Sequence, residues 1–341
     1  MSSLPIAIQR TGLVTSVGLS APAACAAIRA KLKNPSETRF IDSAGEWIMA
    51  HQVPLEQSWR GLAKLGHMAA MAIEECLADV PRKEWSSIPL LLCVAERDRP
   101  GRVEGLDDRL FVDLQRALGI EFAVGSAIVA HGRVGMAIAL MQARSLIHER
   151  KLRHVLVAAT DSLLSWPTLS HYERNDRLLT ARNSDGFMPG EGAGALLLAP
   201  PGGQPELLCT GIGFGVETAP IGSEEPLRAD GLAMAIRFAT DEASCQVHDL
   251  DFRIADVSGE QYYFKEAALA LSRTLRQRKE AFDIWHPAEC TGEAGALSGA
   301  SQIALADAAC RKAYAPGVNI LAHMAGDAGQ RAAAVLRFGV A

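Results

Sequence analysis

Asp185-Gly186-Phe187-Met188-Pro189-Gly190-Glu191-Gly192-Ala193-Gly194 runs without a break into the apolar stretch Ala195-Leu196-Leu197-Leu198-Ala199. Alternate glycines first suggest a phosphate-cradling loop, but such loops follow a strand and open a helix. Here the glycines lead into a run of strand length, so the order is reversed and a nucleotide fingerprint is not indicated. Gly186, Gly190, Gly192 and Gly194 are expected at a crowded turn, where glycine supplies unusual backbone angles or lets another segment approach closely.

Around this segment short apolar runs alternate with helical periodicity. Strands are expected near 4–9, 89–95, 154–159, 194–199, 207–215, 252–257, 282–285, 318–323 and 332–338. Helices are expected near 21–31, 58–79, 104–118, 128–150, 226–242, 262–278 and 294–314, which makes an α/β protein. Within 128–150, Val134, Ala137, Ile138, Met141 and Leu146 recur at helical spacing, and Lys151-Leu152-Arg153 follows where cations suit a helix C-terminus. The helix at 294–314 opens Ala294-Gly295-Ala296-Leu297-Ser298-Gly299-Ala300, small residues suited to a buried middle layer. Prolines and glycines in Ala199-Pro200-Pro201-Gly202-Gly203-Gln204-Pro205 mark a linker that divides the chain into residues 1–203 and 204–341.

Composition narrows the class. A chain of 341 residues with 49% hydrophobic content can bury a large core. Its 34 basic and 39 acidic residues leave a formal charge of -5 with no long run of one sign, which argues against a nucleic-acid or membrane-surface footprint. The longest apolar runs, such as Leu90-Leu91-Leu92-Cys93-Val94-Ala95, fall far short of the roughly 20 residues of a membrane helix. Met1-Ser2-Ser3-Leu4-Pro5 shows no basic and apolar leader pattern. Seven scattered cysteines without a Cys-x-x-Cys pair fit a reduced, cytoplasmic protein in which most thiols are small core residues.

The fixed positions of 185–194 resemble the Asp-Gly-Phe-x-x-Gly-Glu-Gly-Ala-Gly stretch of the β-ketoacyl synthases (3-oxoacyl-acyl-carrier-protein synthases), which also leads into an apolar strand. Upstream, Val155-Leu156-Val157-Ala158-Ala159-Thr160-Asp161-Ser162 looks like the family's preceding strand and turn, and Leu178-Leu179-Thr180 sits where it has a Leu-Ser/Thr element. Downstream, Thr291-Gly292-Glu293-Ala294-Gly295-Ala296-Leu297-Ser298-Gly299-Ala300 is similar to the Thr-Gly-His-x-x-Gly-Ala-Ala-Gly run that begins a buried helix. The resemblance implies a thiolase-like αβαβα five-layer sandwich of two pseudo-repeated halves. It also implies a homodimer or a heterodimer with a true synthase subunit, and contact with acyl-carrier protein or acyl-CoA. It implies no cofactor and no metal.

The resemblance further implies a cysteine nucleophile at a helix N-terminus and two histidines that stabilise developing charge. The matching positions differ. Ala130-His131-Gly132-Arg133-Val134-Gly135-Met136-Ala137 contains no cysteine; the family spacing puts His131 at the nucleophile position, and another gap placement moves it to Arg133 or Val134. In Ala255-Asp256-Val257-Ser258-Gly259-Glu260, Ser258 replaces the first histidine, and Glu293 replaces the second. The late glycine-rich loop is altered to Ala322-His323-Met324-Ala325-Gly326-Asp327-Ala328-Gly329.

His131, Ser258 and Glu293 are therefore the candidate catalytic positions, with Arg133, His286 and Asp327 as candidate substrate-binding residues. Three readings follow: a non-condensing partner of a synthase, an acyl-thioester enzyme using His131, Arg133 and Glu293 as base, anion clamp and acid, or a condensing enzyme with a displaced nucleophile such as Cys290. No His-Glu-x-x-His or Gly-x-Ser-x-Gly pattern occurs, so neither a zinc site nor a hydrolase elbow is indicated. Glu96-Arg97-Asp98-Arg99-Pro100-Gly101-Arg102, directly after an apolar run, is a candidate entrance or dimer rim, or a solvated loop.

Overall fold

The computed structural model describes residues 4–341; the first three residues, part of the stretch read for a leader, lie outside it. The first half runs β1 (Ile6–Val14), α1 (Ala21–Arg29), a hairpin of β2 (Ser36–Ile41) and β3 (Trp47–Ala50), and α2 (Gly61–Cys76). It continues through β4 (Leu90–Val94), α3 (Arg109–Leu118), β5 (Ala127–Ala130), α4 (Gly135–His148), β6 (Val155–Ser162), α5 (Trp166–Arg174) and β7 (Glu191–Ala199). The second half runs β8 (Glu206–Val216), α6 (Asp230–Glu242), β9 (Phe252–Ala255), α7 (Gln261–Thr274), β10 (Ile284–Trp285), α8 (Ala288–Thr291), α9 (Leu297–Arg311), β11 (Asn319–Ala325) and β12 (Gln330–Gly339).

The sheet order reveals a repeat. From one edge the strands run β5-β4-β6-β7-β1, then β8-β12-β11-β9-β10, so the second five mirror the first. Directions match as well: the outer three strands of each set are parallel and the remaining neighbours antiparallel. The sets meet where Ile6, Ala7 and Ile8 pair with Cys209, Leu208 and Leu207.

Alternation of side chains then builds five layers. Leu91, Cys93, Val155, Val157, Leu196 and Leu198 face a central core with Met136, Leu140 and Ile147 of α4, much of α9, and Ile254, Ile320 and Leu336 from the second half. Their neighbours Leu90, Leu92, Val94, Leu156 and Leu197 face outward onto α2 and α3. Leu321, Ala333 and Val335 likewise face α6 and α7. The order helix, sheet, helix, sheet, helix is the αβαβα sandwich expected from the resemblance. Each fully buried leucine in these layers contributes roughly 1.5–3 kcal/mol.

Two local expectations needed correction. Residues 127–130 form a parallel strand beside β4, not the first turn of a helix, and α4 begins only at Gly135. Their run Ala127-Ile128-Val129-Ala130 satisfies a buried strand and a helix face equally, and sheet pairing decides. The hairpin β2–β3 and helix α5, which carry no strong periodicity, went unread; Ile48 of the hairpin packs with Leu169, Tyr172 and Phe187 beside the glycine segment. Among the described residues, no helix is long and apolar enough to cross a membrane.

Candidate functional site

The glycine segment holds the site together by close approach. None of its four glycines has a positive φ. A Cβ on Gly190 would lie 2.2 Å from Thr291 O, and one on Gly192 would lie 2.4 Å from Val14 O. Gly190 N donates to Glu293 O at 2.8 Å and Glu293 N donates to Met188 O at 2.9 Å, so the segment stitches the Thr291-Gly292-Glu293 bend to the first half.

The ends of β4 and β5, the start of α7 and the turn between β11 and β12 surround a cavity of about 890 Å³. His131, Arg133, Glu293 and Asp327 all line it. His131 is exposed at the start of the 3-10 turn Gly132–Val134 and caps no backbone donor. The next residue, Gly132, has φ +51°, and a Cβ there would sit 2.0 Å from Glu96 Oε2. Glycine is thus needed both for the left-handed turn and for the carboxylate beside it.

Arg133 turns inward from that same bend and is buried. Nη1 donates to Glu293 Oε2 at 3.3 Å, and Nη2 donates to Tyr263 OH at 2.6 Å and also pairs with Asp327. Nε lies 4.0 Å from Asp256 Oδ2. Asp327 further accepts from Tyr263 OH at 2.6 Å, Tyr172 OH at 3.2 Å and Arg177 Nη1 at 2.6 Å. Arg177 in turn grips Glu260 through Nε at 2.6 Å and Nη2 at 2.8 Å. Behind this group, Arg99 holds Glu96 at 3.0 and 2.6 Å and Asp161 at 2.7 Å.

Charge and burial compete throughout. Burial works to raise the Asp327 pKa, but Arg133 and Arg177 hold the carboxyl far below its usual range. Asp256 has weaker help: burial pushes it up to about 7 despite Arg133 and the Ala325 N–H. Burial likewise raises Glu260 against its pairing with Arg177. Burial works to lower the Arg133 and Arg99 pKa values, but Tyr263, Glu293, Asp327 and Asp256 around Arg133 and Asp161 and Glu96 around Arg99 keep both well above the ordinary guanidinium range.

Two residues read as members of the site do not reach it. Ser258 lies in the bend after β9, its Oγ buried without a hydrogen-bond partner and outside the cavity wall. The chain there turns at Gly259 to pack on Gly186 O, which directs the bend toward the glycine segment. His286 follows β10 and rests against Phe264, with ring centroids 5.7 Å apart, away from the cavity. Cys290 is buried, its thiol pushed up by desolvation, and it too lies off the wall. Sequence reading missed Asp161, Arg177, Glu260 and Tyr263. A run of charges directly after a buried strand flagged only the Glu96–Arg102 group. Among the described residues no cluster of His, Cys, Asp and Glu is arranged to hold a metal ion.

No protein-family model and no curated protein matches this sequence. Solved structures do match over nearly the whole chain. One described as the ishigamide ketosynthase/chain length factor superposes with a TM-score of 0.75 at 16% identity, covering 99% of this chain and 100% of that one. A type II acyl-carrier protein in complex with its ketosynthase bound to the hexaketide gives 0.79 at 15%, covering 98% and 99%. A ketosynthase in complex with its chain length factor from Xenorhabdus doucetiae gives 0.79 at 13%, covering 99% and 98%. At these identities the likeness is one of fold: this chain has the thiolase-like fold of the ketosynthases.

Proposed function

We propose that this chain is a β-ketoacyl-synthase-like protein of acyl-thioester metabolism, of fatty acid or polyketide type, that does not perform the cysteine-dependent condensation and serves as a partner subunit of a synthase. One observation carries the reading. Where the resemblance calls for a reacting thiolate between two imidazoles, Arg133 is locked to Glu293, Asp327 and Tyr263. A buried guanidinium hydrogen-bonded to two carboxylates and a tyrosine, with a third carboxylate 4.0 Å from its Nε, is a structural clamp, because freeing it would strand uncompensated charge. Arg133 and Arg177 belong to residues 1–203 and their partners Asp256, Glu260, Tyr263, Glu293 and Asp327 to 204–341, so the division at 203/204 makes the clamp a bond between two halves.

A ketosynthase subunit is the first candidate partner, with a second copy of this chain and an acyl-carrier protein or acyl-CoA as the others. The edge strand β5, with exposed Val124 just before it and exposed Met141 on α4, offers candidate surface for a subunit. Seven unpaired cysteines fit a cytoplasmic setting. Intact-mass spectrometry after incubation with an acyl-thioester donor tests the non-condensing part: no acyl adduct is expected, and a stoichiometric one would sink it. Co-purification with a ketosynthase subunit tests the partner part, and a homodimer that ignores such a subunit would overturn it.

A second reading, an acyltransferase or other acyl-thioester enzyme using His131 and Glu293, draws on their facing one cavity. Loss of acyl-thioester turnover in both His131→Ala and Glu293→Ala would favour it over the first.

A further inference from the structure

Arg133 stands among three carboxyl groups that are buried to different depths and bonded to different extents. The side chains of Asp256 and Glu293 are 1% and 7% exposed and that of Asp327 27%. Glu293 accepts from Arg133 Nη1 at 3.3 Å and from Gly295 N at 2.9 Å. Asp327 accepts from Arg133 Nη2, from Arg177 Nη1 at 2.6 Å, and from the hydroxyls of Tyr263 at 2.6 Å and Tyr172 at 3.2 Å. Asp256 accepts from Ala325 N at 2.8 Å, while Arg133 Nε stays 4.0 Å from its Oδ2, beyond hydrogen-bond reach. Among the described residues, the deepest of the three carboxyl groups is the one that no guanidinium bonds.

The other groups around Asp256 do not make up the difference. Arg331 of β12 is engaged by Glu266 at 2.7 Å, by Tyr262 OH at 3.1 Å and by the carbonyls of Gly326 and Gln330. Thr291 of α8 and Ser298 and Ser301 of α9 share with Asp256 the wall of a hollow of about 10 Å³ and bring no charge. Glu293 repels a charge on Asp256. On α7, Glu260 is gripped by Arg177 at 2.6 and 2.8 Å, and Tyr263 lies between Arg133 and Asp327. A buried carboxyl with one backbone donor and a second carboxylate facing it keeps its proton more firmly than its paired neighbours. Burial accordingly lifts the Asp256 pKa to about 7, against the pull of Arg133 and Ala325 N.

From this geometry we infer that Arg133 is a two-position switch, set by the proton on Asp256, that ties or releases the β11–β12 turn in the cavity wall. With the proton in place the guanidinium holds Glu293, Tyr263 and Asp327. When the proton passes to solvent, a shift of about 1 Å lets Nε donate to Asp256 Oδ2, and Nη2 gives up Asp327. Asp327 is the partner that can be released, because it is the most exposed of the three and keeps Arg177, Tyr263 and Tyr172. The turn then loses one of its two guanidinium ties to the first half, while the Arg133–Glu293 pair stays. The wall loosens as pH rises through neutrality. The switch needs only the residues of the clamp, so neither outcome of the acylation and co-purification tests decides it.

Hydrogen exchange of the full chain, read by mass spectrometry at about pH 6 and about pH 8 and corrected for the intrinsic rate, tests it on the parent and Asp256→Asn. The peptide to follow carries Gly326 N and Gly329 N, which close the turn by donating to Gln330 O and Gly326 O. In the parent its protection should fall about tenfold between the two conditions, the effect of about one unit of differential proton binding. In Asp256→Asn, which keeps the shape and cannot ionise, no such step should occur. The infrared difference between the two proteins at the lower pH should show the band of one protonated carboxyl, gone at the higher. Asp327→Asn, which removes the charge that Arg133 holds, should leave the turn poorly protected at both. Protection that does not change with pH in the parent, or changes equally in Asp256→Asn, overturns the switch. So does an absent carboxyl band, a turn in Asp327→Asn as protected as the parent's at the lower pH, or a step of equal size in the Leu90–Val94 strand, which would mark general loosening.

Discussion

Arg133 and Glu293 are separated by 160 positions in the chain and by 3.3 Å in space. Arg133 sits in the bend that opens the central helix α4 of the first half, and Glu293 sits just before the matching helix α9 of the second. The two helix entries that the resemblance would equip with a nucleophile and a histidine are joined by an ion pair. That pair ties the first half of the sheet to the second.

Removing that guanidinium should be costly. Arg133→Met leaves Glu293 and Asp256 buried and Asp327 half-buried beside an apolar side chain, and stranding buried charge costs about 3–5 kcal/mol. Arg133→Lys should recover little of it, since one ammonium cannot span the directions of a planar fork. Urea denaturation checks both. A loss below about 0.5 kcal/mol in the methionine variant would mean the network is incidental.

His131 offers a different outcome because it is exposed and outside the clamp. His131→Cys should fold normally and gain one thiol that iodoacetamide alkylates, visible as one added carbamidomethyl group by intact mass. The same variant should not accumulate an acyl adduct from an acyl thioester, because Glu293 and Arg133 supply no imidazole and Ser258 lies off the wall. An acylated His131→Cys protein would show that the site keeps more of the condensing geometry than its residues suggest.

These two residues also show how far the sequence can be read. The glycine segment was legible because it is local: Gly190 and Gly192 admit backbone from Thr291 and Val14, a demand that leaves a fixed short pattern. The alternating core was legible for the same reason, since period-2 and 3.6-residue patterns are written within each element. The ion network was not. Arg177 reaches Glu260 across 83 positions and Asp327 across 150, and nothing near any of these residues marks it as a partner of the others. Ser258 and His286 matched or neighboured motif positions, yet the bend packed at Gly259 on Gly186 and the contact with Phe264 place them off the cavity wall.

The free edge of β5 predicts assembly. Among the described residues its Ala127–Ala130 backbone pairs on one side only, with β4; Val124, three residues before it, is exposed, as is Met141 on α4. Val124→Glu combined with Met141→Glu should lower the mass seen by light scattering toward a monomer, or abolish co-purification with a synthase subunit, with little change in thermal midpoint. An unchanged assembly would move the interface elsewhere.

Asp256 gives the pH dependence a definite sign. Burial is the largest influence on its carboxyl and lifts the pKa from 3.8 to about 7, with Arg133 and the Ala325 N–H pulling it down and Glu293 pushing it up. The folded protein therefore holds this proton more tightly than the unfolded chain. The stability contributed is fully present below about pH 3.8 and is lost as pH rises through about 7. Asp256→Asn fixes the group in a form like the protonated one and keeps an oxygen to accept from Ala325 N, a bond of 2.8 Å in the parent. Relative to the parent, the variant should therefore gain stability between pH 5 and pH 8, by on the order of 1 kcal/mol or more. The titrations of Asp327, opposite in sign, and of Glu260, of the same sign, are present in both proteins and cancel in the difference. Denaturation midpoints for the pair across that range measure it, and a difference that stays flat would show that Asp256 is ionised throughout.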